Sequence, residues 1–152
     1  MSYRDEATSL PILREQNHPS CFVCGPANRH GLGLEFRVAD DGSVESCFPC
    51  PAAFAGYSGM LHGGVVCTLL DGAMTNCLFA HGLIAVTVDM NVRFRHPVAV
   101  NESATVRAWL DMNGPPLHGL GADIVQAGRV VATANARFIE KEAMVWFEKT
   151  MP

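Results

Sequence analysis

The chain has 152 residues, 49% of them apolar and 17% charged, with a formal net charge of −4. That length builds one substantial core and leaves little for a second. The acidic balance argues against a nucleic-acid ligand, because such affinity comes mostly from cationic contacts to phosphate. The first ten residues, MSYRDEATSL, lack a signal peptide's apolar core, and no apolar run reads as long enough to cross a bilayer. A cytoplasmic protein with no membrane partner and six reduced cysteines is therefore expected.

In chain order, residues 1–20 read as a loosely ordered lead-in, 21–140 as the domain and 141–152 as a tail. Leu32, Leu34, Phe36 and Val38 alternate with polar or small neighbours, which is a strand pattern. Asp40-Asp41-Gly42 is a turn signal, Val44, Ser46 and Phe48 begin a return strand, and Pro49 and Pro51 end it. An apolar segment over 65–80 is long enough for about four helical turns. Beyond it Val86, Val88, Met90, Val92 and Phe94 alternate with Thr87, Asp89, Asn91, Arg93 and Arg95, up to Pro97. Residues 102–112, 117–126 and 129–139 read as three more strands, with turns at Asn113-Gly114-Pro115 and Ala127-Gly128. One helix with about six antiparallel strands is an α+β order. In the tail, Met144, Val145, Trp146 and Phe147 are expected to pack on the body or on a second subunit.

Two features invite chemistry that their context disfavours. Cys21-x-x-Cys24 and Cys47-x-x-Cys50 have the outline of a four-cysteine zinc site. The second pair straddles Pro49 where a strand ends, so the thiols are read first as structural and no metal is expected, with zinc binding and redox use as the lesser readings. Gly56-Tyr57-Ser58-Gly59 suggests a nucleophile elbow, but Met60 stands where that pattern requires glycine.

The stretch from Gly56 to Ala80 holds the stronger signal. Its helical part is apolar on nearly every face, with Asp71 its only charged side chain. A lone carboxylate among Val, Leu and Met is costly unless paired or used, and burial makes a carboxylate more basic, as a general base requires. The Gly63-Gly64 pair exposes backbone N–H groups at the positive end of the helix dipole, which suits an oxyanion. His62, just before them, reads first as a helix cap and second as a proton-transfer group.

His62-Gly63-Gly64, six residues and then Asp71 resembles the helix motif of the hotdog-fold acyl-CoA thioesterases of the phenylacetyl-CoA type. Cys21-Phe22-Val23-Cys24-Gly25 with Asn28 and Gly31-Leu32 is similar to the amino-terminal signature of one large branch, and Thr87-Val88-Asp89-Met90-Asn91 resembles the strand after the helix. The resemblance implies a hotdog fold, a curved antiparallel sheet of about six strands wrapped around one central helix. It implies thioester hydrolysis of an acyl-CoA, with Asp71 as base or nucleophile, the Gly63 N–H (joined by that of Gly64) at the oxyanion, and Thr87 assisting the carboxylate. No cofactor is implied beyond the coenzyme A of the substrate. Gly56, Met60, Leu61 and Met74, with Leu78 and Phe54, are candidate pocket residues. Arg93 and Arg95 are either a solvated face or a cationic mouth for coenzyme A phosphates.

Three positions depart from the pattern. Gly56 stands where many of these enzymes have a water-holding Asn, Arg29 replaces a proline after Asn28, and Gly72 replaces an acidic residue after Asp71. A binding module for acyl-CoA or another apolar carboxylate is the alternative on the same fold. An unpaired sheet edge invites pairing with a twin. The resemblance implies a homodimer, or a dimer of dimers, in which Asp71 of one chain faces Gly63 of the other.

Overall fold

The structure is a computed structural model that describes residues 3–144, with side chains from Ser9 onward. Its elements are helix α1 (Tyr3–Asn17), strands β1 (Arg37–Val38) and β2 (Val44–Phe48), a short 3-10 turn (Ala52–Phe54) and helix α2 (Gly63–Ala80). Strands β3 (Ala85–Phe94), β4 (Ala104–Gly114), β5 (Leu117–Gln126) and β6 (Arg129–Glu140) follow, and a 3-10 turn (Lys141–Met144) closes the described part. The expected tail lies almost wholly outside the described residues.

All six strands join in one antiparallel sheet of order β1-β2-β4-β5-β6-β3, which places β3 at an edge. Rows of paired residues show why it curves around α2. One row runs Val44, Ala108, Ala122, Ala134, Val92, and the next Ser46, Val106, Ile124, Ala132, Phe94. Alanines fill the middle of the first row, so the helix backbone approaches the sheet closely there, while larger side chains rise at the rims. Leu69, Leu70, Ala73, Met74, Cys77 and Leu78 of α2 are fully buried against this concave face. Each large apolar side chain so buried contributes roughly 1.5–3 kcal/mol before conformational entropy is charged.

By length and composition α2 does match a membrane-crossing helix, with 18 residues at a hydropathy of 1.3, contrary to the sequence expectation. Here, however, 67% of it is buried inside the fold.

Two expectations need correction. The lead-in is not loose, because Tyr3–Asn17 forms α1 and packs along α2. Leu10 enters the core, and the Ser9 hydroxyl donates to the carbonyls of Phe79 (3.0 Å) and Ala80 (2.8 Å). Those carbonyls belong to the last turn of α2, where no intrahelical donor remains, so α1 completes the end of the central helix. The strand expected over 32–38 is a ladder only at Arg37–Val38. Leu34 and Phe36 are nonetheless buried as the alternation requires, and the N–H groups of Leu32 and Leu34 donate to Phe22 and Val23 instead of to a strand.

Candidate active site

Asp71 lies at the middle of α2, on a flank that is left partly open. It is only half-buried, so its charge is not stranded in the core as the apolar run suggests. The Thr87 hydroxyl donates to its Oδ1 at 2.6 Å. Its Oδ2 has no hydrogen-bond partner among the described residues.

Strict alternation places Thr87 on the polar face of β3, away from the helix. The register of β3 against β6 shifts between Thr87 and Asp89, leaving Val88 as the extra residue of a bulge. Before the bulge the odd-numbered residues face α2: Ala85 is buried and Thr87 reaches Asp71. After it the even-numbered Met90 and Val92 pack on the core. The bulge brings a hydroxyl from the polar series onto the helix side without sacrificing the apolar series. The same phase change leaves Val88 53% exposed, against expectation, and Phe94 at the strand end is 58% exposed.

At the start of α2, His62 is the N-cap, in extended backbone geometry, and its Nδ1 accepts the Gly64 N–H at 2.8 Å. The capping reading of His62 holds, and the Gly64 N–H is engaged in that cap instead of free for a ligand. The Gly63 N–H meets no acceptor among the described residues. A Cβ added at Gly63 would sit 3.5 Å from Cε1 of Phe94, so this glycine lies against the ring that ends β3.

A groove of about 650 Å³ opens at this helix end. Gly56, Met60, Leu61, His62 and Gly63 line one side, and Phe94, Arg95 and His96 the other. Five of the sequence candidates thus meet in one place, joined by Arg95. Arg93 is exposed on β3 and does not line the groove; both N–H groups after Phe94, of Arg95 and His96, turn to the Val131 carbonyl, which takes Arg95 off the strand. Met74 and Leu78 are fully buried core, so neither is a pocket residue in the single chain. Phe54 packs on Phe48 (ring centroids 6.0 Å apart). Phe94, Tyr57 and His96 were missed; the end of the β3 alternation at Pro97 was the available signal for Phe94 and His96.

The departures at Gly56 and Gly72 acquire physical reasons. A Cβ at Gly56 would lie 3.3 Å from the His62 Cα and ring, so any side chain there would crowd the cap. A Cβ at Gly72 would sit 2.6 Å from Cγ1 of Val23, which occupies the space a larger residue after Asp71 would need. Cys67, half-buried on the open flank, has its thiol raised above its ordinary value by burial, the opposite of an activated nucleophile. Burial likewise pushes the Cys24 and Cys50 thiols up to about 11.

A family model described as "Thioesterase superfamily" matches residues 58–112, the span from the groove loop through α2 and β3 into β4. Over that span the chain is similar to the superfamily. It is 30% identical over 84 residues to acyl-coenzyme A thioesterase THEM4 of Bos taurus, covering 53% of this chain and 34% of that protein. It is 31% identical over 78 residues to acyl-coenzyme A thioesterase 13 of Mus musculus, covering 49% and 56%. The matched part is therefore about a third to a half of these relatives' own lengths. Among solved structures, PaaI of the Escherichia coli phenylacetic acid degradation operon superposes with a TM-score of 0.75, covering 91% of this chain and 96% of that one at 21% identity. A putative thioesterase from Ralstonia eutropha JMP134, described as phenylacetic acid degradation-related, gives 0.66 at 28% identity, covering 75% and 89%. The fold is the hotdog fold.

Proposed function

We infer that this chain hydrolyses acyl-coenzyme A thioesters at a site completed by a second copy of itself. The observation that carries this reading is the Asp71 carboxylate, anchored by Thr87 through one oxygen with the other unclaimed, on an open flank of the central helix. Such a carboxylate takes a proton from water or attacks the thioester carbon directly. The Thr87 bond fixes its orientation in either case. The unpaired Gly63 N–H supplies the anion-stabilising donor, reinforced by the helix dipole.

Within one chain these two groups are too far apart to act together. Eight residues of helix separate them by about 12 Å along the axis, whereas base and oxyanion donor must both lie within about 3 Å of reacting atoms. Asp71 of one chain therefore serves with Gly63 of another. The ten-residue β3 lies at the sheet's open edge with Val88 and Phe94 uncovered, which offers the seam for a homodimer, alone or paired again. Arg95 beside the groove suits a coenzyme A phosphate, and Met60, Leu61 and Val66 suit the acyl group. The two curated relatives are named as acyl-CoA thioesterases, and a Streptococcus pneumoniae hypothetical thioesterase of this fold was solved with coenzyme A.

Thiol release from a panel of aliphatic and phenylacetyl CoA esters tests the reading. Turnover is expected, with a loss on the order of 10²-fold or more in kcat for Asp71→Asn. Tight binding of esters without turnover would instead establish the binding module, the reading that Gly56 favours by offering no side chain to hold water.

A further inference from the structure

The thiols of Cys21 and Cys24 do not meet Cys47 and Cys50; they meet a histidine that the sequence reading left aside. A ring nitrogen of His18 and the sulfurs of Cys21 and Cys24 all lie within 4.8 Å of one another, in the order His-x-x-Cys-x-x-Cys. Among the described residues no other cluster of this kind includes a cysteine. We propose that His18, Cys21 and Cys24 bind a borderline-soft divalent cation, zinc being the reference case, at the junction of α1 with α2.

Several details of the loop match what such an ion requires. Both sulfurs accept N–H groups, that of Cys21 from the Val23 backbone at 3.4 Å and that of Cys24 from the Asn76 side chain at 3.5 Å. Donors aimed at sulfur stabilise thiolates and orient metal ligands. Asn76 is itself held by a second bond, from the same nitrogen to the Gly72 carbonyl at 2.8 Å, and it is fully buried. The His18 Nδ1 is buried with no hydrogen-bond partner, an arrangement that costs stability unless a ligand meets it. The ring stands edge-on to Phe79 (centroids 5.1 Å apart), which restricts its rotation. The sharp bend after Cys24 depends on glycine, since a Cβ at Gly25 would fall 2.3 Å from the Cys21 nitrogen.

Two thiolates and an imidazole are a zinc donor set, and three protein ligands leave one tetrahedral position for water or a further donor. The ion would act as a staple. It would tie the end of α1 and the 18–25 loop to α2 next to Asp71, because Val23 sits over Gly72 and Asn76 links Gly72 to Cys24. The proposal stands apart from the hydrolase reading, since metal binding is measured without substrate.

The full chain, reduced and metal-free, is to be titrated anaerobically with Co²⁺. About one equivalent should bind with thiolate-to-metal charge-transfer absorption that Zn²⁺ then abolishes. His18→Ala should weaken binding by at least the roughly 10–100-fold that loss of an outer-shell partner costs, and Cys21→Ser/Cys24→Ser should abolish the absorption, while Cys47→Ser/Cys50→Ser leaves it intact. Should the double Cys21/Cys24 variant not fold, alkylation mapped by mass on the wild type replaces it, with Zn²⁺ expected to shield Cys21 and Cys24 selectively. No absorption from the reduced wild type, unchanged Co²⁺ affinity in His18→Ala, unchanged absorption in Cys21→Ser/Cys24→Ser, or alkylation unaffected by Zn²⁺ would each overturn the site.

Discussion

If Asp71 of one chain works with Gly63 of another, two inactive variants must complement each other, and the yield follows from geometry. Asp71→Asn keeps the shape of the side chain, and Thr87 still has an oxygen to donate to. Gly63→Val fills the space in front of the donor; the first added carbon meets the Phe94 ring at 3.5 Å, ordinary contact, so the fold tolerates the start of that side chain. Each variant alone is expected to fall on the order of 10²-fold or more in kcat. On random exchange, half the dimers are mixed, and each mixed dimer holds one site with both groups intact and one with neither. Recovery should therefore approach about a quarter of wild-type activity. The assay is thiol release from an acyl-CoA after exchange, with the mixed dimer counted by native mass. Verified mixed dimers without recovered activity would refute the argument, because the roughly 12 Å between the two groups along one helix would then be bridged in some other way.

Three further outcomes are expected. Thr87→Val removes the hydroxyl that orients Asp71 and should lower kcat about tenfold with KM little changed, the worth of roughly 1–2 kcal/mol for a charge-assisted bond in an open setting; steady-state kinetics checks this. Arg95→Glu should raise KM for CoA esters and leave kcat nearly alone, while Arg93→Glu has the smaller effect, because only Arg95 lines the groove; equal KM for CoA and pantetheine esters in the wild type would exclude any phosphate contact. Gly72→Ala should destabilise the chain by about 1 kcal/mol in denaturant unfolding, because crowding of Val23 outweighs the helix propensity that alanine adds, and Val23→Ala in the same chain should recover part of it.

The central helix and strands β4 to β6 were legible because each is a long apolar-rich run bounded by turn residues. The 104–114, 117–126 and 129–140 strands are separated by Asn113-Gly114-Pro115 and Ala127-Gly128, so their turns could be placed within a residue or two. α1 was missed because its sequence, with Pro11 inside it, carries few apolar residues; its order derives from Leu10 and Ser9 meeting α2, a tertiary fact. His18 was missed for a similar reason. Its spacing to Cys21 repeats that of Cys21 to Cys24, yet the second CxxC drew the metal question toward residues that lie elsewhere in the fold.

The candidate site sits where the local patterns break. A bulge cannot be read from alternation, since Val86 to Phe94 alternates without interruption; the extra residue shows only as a changed register with β6. Had β3 stayed in phase, Thr87 would share a face with the exposed Asp89, which pairs with Arg137 on the outer side of the sheet. Asp71 would then be a half-exposed carboxylate with no oriented partner. The phase change instead lets one strand present Met90 and Val92 to the core and a hydroxyl to the helix carboxylate, at the cost of leaving Val88 in solvent on an open edge. An uncovered apolar residue at an unpaired edge is a liability for a lone chain and an asset for a pair. On the proposed reading, the same distortion that orients Asp71 would also favour the partner that brings its Gly63, so site assembly and chain association would both depend on one inserted residue.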